Sequence, residues 1–178
     1  MNIEQPRTRR AQTISRSSIP RRILFLLFLC AASSLSQDTE RVRVVKVVDG
    51  DTFEILKSDG TKEKVRLIGI DCPEASRNPK LGRDAGNDGR AASAILEAGR
   101  LATEYVRSVL RPGDEVRLEY DVRLRDRYRR LLAYVFLEDG RMLNRVLLEK
   151  SHASLMTMPP NVKYVEEFRA ASRIGRDR

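Results

Sequence analysis

Three β-branched runs, a long helical stretch, two further β-branched runs and two amphipathic stretches predict an α+β domain, a five-stranded β-barrel with three helices. Two observations carry the barrel. Turn residues, Asp49-Gly50 and Ser58-Asp59-Gly60, separate the first three runs at hairpin intervals, so those runs read as a meander. The long helix then falls between the third and fourth strands.

The elements follow in order. Residues 41–48 are β-branched and partly alternating, and residues 52–56 and 63–70 give two more strands. Residues 75–90 are rich in Gly, Asn, Asp, Arg and Lys and read as a long exposed loop. Residues 91–110 carry helical spacing, with Ile95, Leu101, Val106 and Val109 or Leu110 toward a core, ended by Arg111-Pro112-Gly113-Asp114. Strands four and five are expected at 115–120 and 131–137. Glu138-Asp139-Gly140 turns the chain into a helix at 143–150, and Met158-Pro159-Pro160 interrupts it before a last helix at 162–174. A helix between strands three and four is the order of the oligonucleotide/oligosaccharide-binding barrel.

The chain divides into a leader, 1–36, and the barrel domain, 37–178. Residues 1–22 carry six arginines against one glutamate, and the apolar run 23–29 passes into Cys30-Ala31-Ala32-Ser33-Ser34-Leu35-Ser36. A basic start, a short hydrophobic stretch and small residues form the layout of a secretory signal, so export is expected, with an uncleaved membrane anchor as the alternative. The leader also takes most of the charge. Of the formal +9, it holds +5; the other 28 basic and 24 acidic residues leave +4. Overall basicity is therefore a weak argument for a nucleic-acid partner, and the local cluster Arg123, Arg125, Arg127, Arg129, Arg130 is a better one. The alternative for that cluster is a solvated ladder of charges along a strand edge.

Cysteine and histidine exclude more than they suggest. Without the leader Cys72 is the only cysteine, so the domain has no internal disulfide and no zinc-ligand cluster. His152 is the sole histidine, which argues against hydrolytic mechanisms built on that residue.

Chemistry concentrates in two acidic clusters framing an arginine. Asp49-Gly50-Asp51-Thr52 is followed by Val65-Arg66-Leu67-Ile68-Gly69-Ile70-Asp71-Cys72-Pro73-Glu74. Asp51, Asp71 and Glu74 beside a guanidinium are the parts for cutting a phosphodiester with a hard metal ion. Oxygen ligands hold the cation, a carboxylate can activate water, and an arginine fork grips phosphate. Arg66 lies between apolar neighbours in an alternating strand, so it must reach solvent or find an acidic or phosphate partner.

Together with Asp126-Arg127-Tyr128-Arg129-Arg130-Leu131-Leu132-Ala133-Tyr134, these motifs resemble the staphylococcal nuclease (thermonuclease) family, in its order, from about residue 42 to the last helix. The resemblance implies that Asp51 and Asp71, with the backbone carbonyl of Cys72, hold a calcium ion. It implies that Glu74 is the general base, and that Arg66 and Arg130 contact the scissile phosphate. Tyr128, with Arg127 and Arg129 beside it, would contact substrate. It further implies an endonuclease acting on DNA and RNA with little sequence preference, leaving 3′-phosphate ends. Nothing in the chain suggests an obligate protein partner, and a monomer is expected. Two departures stand out: Arg129 occupies a position where the family commonly has glycine, and the stretch 155–159 has no aromatic where the family places two tyrosines near the base. A non-catalytic nucleic-acid-binding module is the rival reading, although three carboxylates oppose phosphate binding without a cation. A membrane-anchored interaction protein is a third, resting on the leader alone.

Overall fold

The computed structural model describes residues 39–75 and 92–177. The expected leader, and nearly all of the expected loop at 75–90, lie outside the described residues.

Five strands close a barrel in the order β1-β2-β3-β6-β5, with β5 returning to β1. They are β1 (Thr39–Val47), β2 (Thr52–Leu56), β3 (Lys62–Leu67), β5 (Glu115–Glu119) and β6 (Leu131–Phe136). Every pairing is antiparallel except β3 with β6, where Val65, Arg66 and Leu67 face Leu131, Leu132 and Ala133 in parallel. The expected α+β barrel with three helices is the observed fold. Alternation drives closure: Val42, Val44 and Val47 point inward from β1, and Phe53, Ile55, Val65, Leu67, Leu118 and Val135 fill the centre. A register shift between Val44 and Lys46 interrupts the β1–β2 ladder just past the residues, 39–43, that pair with β5.

The first helix, α1 (Ala92–Val109), buries Ile95, Gly99, Ala102, Thr103 and Val106. Leu101, expected to face the core, is 45% exposed. It lies six residues past Ile95, about 240° around the axis and off the i, i+4, i+7, i+8, i+11 stripe. The second helix, α2 (Leu143–Glu149), is tied to the barrel by a buried amide. Asn144 donates from Nδ2 to the Ile68 carbonyl (2.9 Å) and accepts the Val135 N–H (3.0 Å). The last helix, α3 (Val165–Arg176), starts three residues later than expected. Residues 161 and 163 are engaged instead with the 121–123 segment: the Asn161 amide bonds both backbone groups of Arg123, and the Lys163 N–H reaches Asp121.

A small second sheet pairs β4 (Ile70–Asp71) with β7 (Ser154–Leu155), aligning Ile70 with Leu155 and Asp71 with Ser154. The sequence shows the first only as the end of a longer strand and the second not at all, because two residues carry no period. This pairing fixes the backbone of Asp71.

Candidate active site

An open cleft of about 570 Å³ lies where the β1–β2 turn, β3, β4 and the 121–130 ribbon meet. Asp51, Arg66, Asp71, Cys72, Glu74, Arg127, Tyr128 and Arg130 all line it, so those expected site residues are brought together. Arg129 is exposed and is not among the lining residues.

The acidic end is built from the turn. Val48 and Asp49 donate backbone N–H groups to the Thr52 carbonyl, while the Asp49 carboxylate accepts the Asp51 N–H (3.1 Å). Gly50 serves close packing: a Cβ there would stand 2.9 Å from both Cβ and Sγ of Cys72. That approach lets the Cys72 N–H donate to Asp51 Oδ2 (3.0 Å), joining the two acidic motifs across twenty-one residues of sequence. Thr52 donates to Asp51 Oδ1 (3.0 Å).

Arg66 is 4% exposed and finds the acidic partners its sequence context demanded. Nη1 lies 2.5 Å from Asp51 Oδ2 and Nη2 2.8 Å from Asp71 Oδ1. The first contact is an ion pair without hydrogen-bond alignment, so Nη1 is a buried donor lacking an acceptor. Register explains the position: Arg66 sits between Thr52 of β2 and Leu132 of β6.

Arg130 comes from the ribbon. Its Nε donates to Asp126 Oδ2 (2.7 Å) and its Nη1 to the Thr52 hydroxyl (3.2 Å). Thr52 thus links the acidic end to the second arginine. Tyr128 is 64% exposed, with the Arg127 guanidinium 4.7 Å and the Arg130 guanidinium 5.4 Å from its ring centre.

Burial pushes the Asp51 carboxyl above its ordinary range, opposed by Arg66 and reinforced by the neighbouring Asp49 charge. Its ionised form therefore depends on a nearby cation. Burial and the Asp51 charge also push the Cys72 thiol up, so the sulfur stays a neutral thiol against Gly50 and any oxygen it offers a metal is its carbonyl. A single guanidinium spans Asp51 and Asp71, so one cation can serve both carboxylates, and the donors are the hard oxygens a calcium ion takes. Among the described residues no three His, Cys, Asp or Glu side chains converge as a metal cluster. The remaining ligands would be backbone carbonyl, water and substrate oxygen. The donor set fits such an ion.

Sequence reasoning missed several contributors. Thr52 and Asp126 appear there only inside motifs, and Arg123 only in a charge cluster. Gly99 is not visible as a site residue at all, yet a Cβ on it would stand 2.3 Å from the Glu74 carbonyl oxygen. This helical glycine lets the Glu74 backbone cross α1.

A family model described as Staphylococcal nuclease homologue matches residues 64–178. A thermonuclease of Staphylococcus hyicus is 32% identical over 143 residues, covering 80% of this chain and 75% of that protein. A thermonuclease of Staphylococcus intermedius is 36% identical over 132 residues, 74% of this chain and 69% of the relative. Endonuclease YhcR of Bacillus subtilis is 31% identical over 130 residues, 72% of this chain and 10% of that much longer protein.

Proposed function

The chain belongs to the staphylococcal nuclease family, enzymes that hydrolyse phosphodiester bonds, and from that premise we propose an exported, calcium-dependent endonuclease acting on DNA and RNA with little sequence preference. The observation that carries the reading is the Arg66 guanidinium joined to Asp51 and Asp71 within one cleft that Glu74 and Arg130 also line.

Asp51, Asp71 and the Cys72 carbonyl would hold the calcium ion. When bound, that ion supplies positive charge to the phosphate and offsets the repulsion between the acidic wall and the substrate. Arg66 grips a non-bridging phosphate oxygen, and its unmatched Nη1 donor gains an acceptor when the Asp51 pairing rearranges. Arg130, oriented by Asp126 and Thr52, stabilises the charge that builds on the phosphate oxygens in the transition state. Glu74 takes the proton from the attacking water. Cleavage at the 5′ oxygen then leaves a 3′-phosphate end.

Export rests on the leader, residues 1–36, with an uncleaved anchor as its alternative; a monomer suffices for every group named. The cleft argues against a binding module that does no chemistry. Three carboxylates facing a phosphate weaken simple binding and are useful to an enzyme that brings a cation.

The test is degradation of single-stranded DNA and of RNA by the purified protein with calcium, with magnesium and with chelator. Calcium-dependent cleavage with 3′-phosphate ends is expected, and Glu74→Gln should lower kcat roughly 10²–10⁴-fold with the fold intact. A folded protein that binds DNA but cleaves it under none of these ions would return the binding module as the better reading.

A further inference from the structure

One face of the domain carries apolar side chains that neither the core nor the cleft chemistry uses. Seven large apolar side chains are exposed among the described residues, and Val122 (73%), Leu124 (50%), Tyr128 and Val162 are four of them. These four come from the ribbon and from the segment before α3, which two clamps join. The Asn161 side chain accepts the Arg123 N–H at 2.7 Å and donates to the Arg123 carbonyl at 2.8 Å, and the Lys163 N–H donates to Asp121 at 3.2 Å. Val122 and Val162 are the residues between those clamps, one on each segment, and Leu124 follows on the ribbon. Apolar residues exposed singly are ordinary, whereas a cluster marks an interaction surface.

The cluster sits among cations. Residues 121–130 hold five arginines against two aspartates. Both aspartates are turned into backbone bonds: Asp121 accepts the Val122 and Lys163 N–H groups, and Asp126 those of Tyr128 and Arg130. Arg125 is held by Glu63 and Arg130 by Asp126. The Arg123, Arg127 and Arg129 guanidiniums have no carboxylate partner among the described residues. Free guanidiniums beside branched aliphatic tips suit a surface that presents anions with hydrocarbon just beneath them. A nucleic acid supplies the anions, but it offers Val122, Leu124 and Val162 no hydrocarbon layer to enter.

We propose that residues 121–129 and Val162 dock on an anionic phospholipid surface, the arginines against headgroup phosphates and the three aliphatic side chains at the acyl boundary. The inference goes beyond the nuclease reading and does not depend on the leader. Contact through so few side chains is shallow and reversible, so it concentrates the protein at a membrane without anchoring it there.

The chain contains no tryptophan, so Val122→Trp in the full-length protein reports on this face alone, and the leader cannot imitate the signal. Vesicles of equal parts phosphatidylglycerol and phosphatidylcholine should shift its emission to the blue, and brominated acyl chains should quench it. Phosphatidylcholine vesicles at the same lipid concentration should do neither. Arg123→Ala in that background should weaken the apparent affinity about fivefold. Adding Leu124→Asp/Val162→Asp instead should abolish the quenching. Leu101→Trp, at an exposed apolar position of α1, is the control and should stay unquenched. The proposal is overturned by an unshifted Val122→Trp emission with anionic vesicles, by equal quenching in Leu101→Trp, or by an affinity that Arg123→Ala leaves unchanged. A shift produced by a single-stranded oligonucleotide and not by the vesicles would also overturn it, and would assign this face to the nucleic-acid path.

Discussion

Asp126 and Arg130 are joined by three hydrogen bonds across a five-residue turn. The Asp126 carboxylate accepts the Arg130 N–H at 2.9 Å and its Nε at 2.7 Å, and the Asp126 N–H donates to the Arg130 carbonyl at 3.1 Å. One side chain thus shapes the turn and aims the guanidinium that turn carries. Asp126→Ala should lower kcat on oligonucleotides about 10²-fold through misplacement of Arg130. The double variant Asp126→Ala/Arg130→Ala should be no slower than Arg130→Ala alone, because the aspartate acts through the arginine. Additive losses in that cycle would refute a positioning role.

Gly99 sets helix propensity against packing. In an exposed helix interior, Gly→Ala stabilises by about 1 kcal/mol. Here the added Cβ would stand 2.3 Å from the Glu74 carbonyl oxygen and 2.7 Å from the Ala75 nitrogen, both of them backbone atoms. Packing wins, since displacing backbone costs about 1–3 kcal/mol. Gly99→Ala should lower the thermal midpoint and, by moving Glu74, reduce kcat at least tenfold. A raised midpoint with full activity would mean that α1 does not hold Glu74 in place.

The sequence revealed the barrel because its strands are long enough to alternate and are punctuated by Asp-Gly turns. It revealed the charged set because carboxylates and a guanidinium in an apolar strand have few other uses. It did not reveal the supports. Gly99 fits any helical pattern as a weak residue, and only the crossing backbone of Glu74 gives it a purpose. Asn161 sits in a stretch with no period, and its relation to Arg123 spans thirty-eight residues. Leu101 shows the converse error, an apolar residue assigned inward from type alone although its angle on the helix points elsewhere.

Arg129 has φ of 65°, the left-handed conformation that its place before Arg130 suggested. Its neighbours impose it: the Arg129 N–H donates to the Asp126 carbonyl, and its own carbonyl accepts Arg125 Nη1 at 2.8 Å. A side chain here costs about 1–2 kcal/mol, part of which glycine returns through the greater freedom of its unfolded chain. Arg129→Gly should therefore raise stability by up to about 1 kcal/mol, whereas branched Arg129→Val should lower it by about 1–2 kcal/mol. Urea unfolding of the three proteins gives the order; a valine variant as stable as the glycine variant would contradict the strain.

Glu119 makes the docking of α3 sensitive to acid. It is 2% exposed on β5 and accepts hydrogen bonds from Lys163 Nζ (2.6 Å) and Tyr164 Oη (2.7 Å), the two residues just before α3. Burial alone would raise its carboxyl, but the bonds from Lys163 and Tyr164, with the Lys163 charge, bring it below the ordinary 4.5. A carboxyl depressed in the folded state stabilises the fold above its unfolded value. That contribution is lost as pH falls from 4.5 through the folded value. Glu119→Gln should cost about 1–2 kcal/mol at pH 7, since it removes the charge from the bonds to Lys163 and Tyr164 while the exposed Lys163 ammonium keeps its water. The gap between wild type and variant should narrow steadily below pH 4.5, as protonation makes the glutamate resemble its amide. Urea midpoints measured for both proteins from pH 7 down to the acid transition test this, and a gap that stayed constant on acidification would assign the stabilisation to packing of Tyr164 on Tyr134 and Phe168 instead.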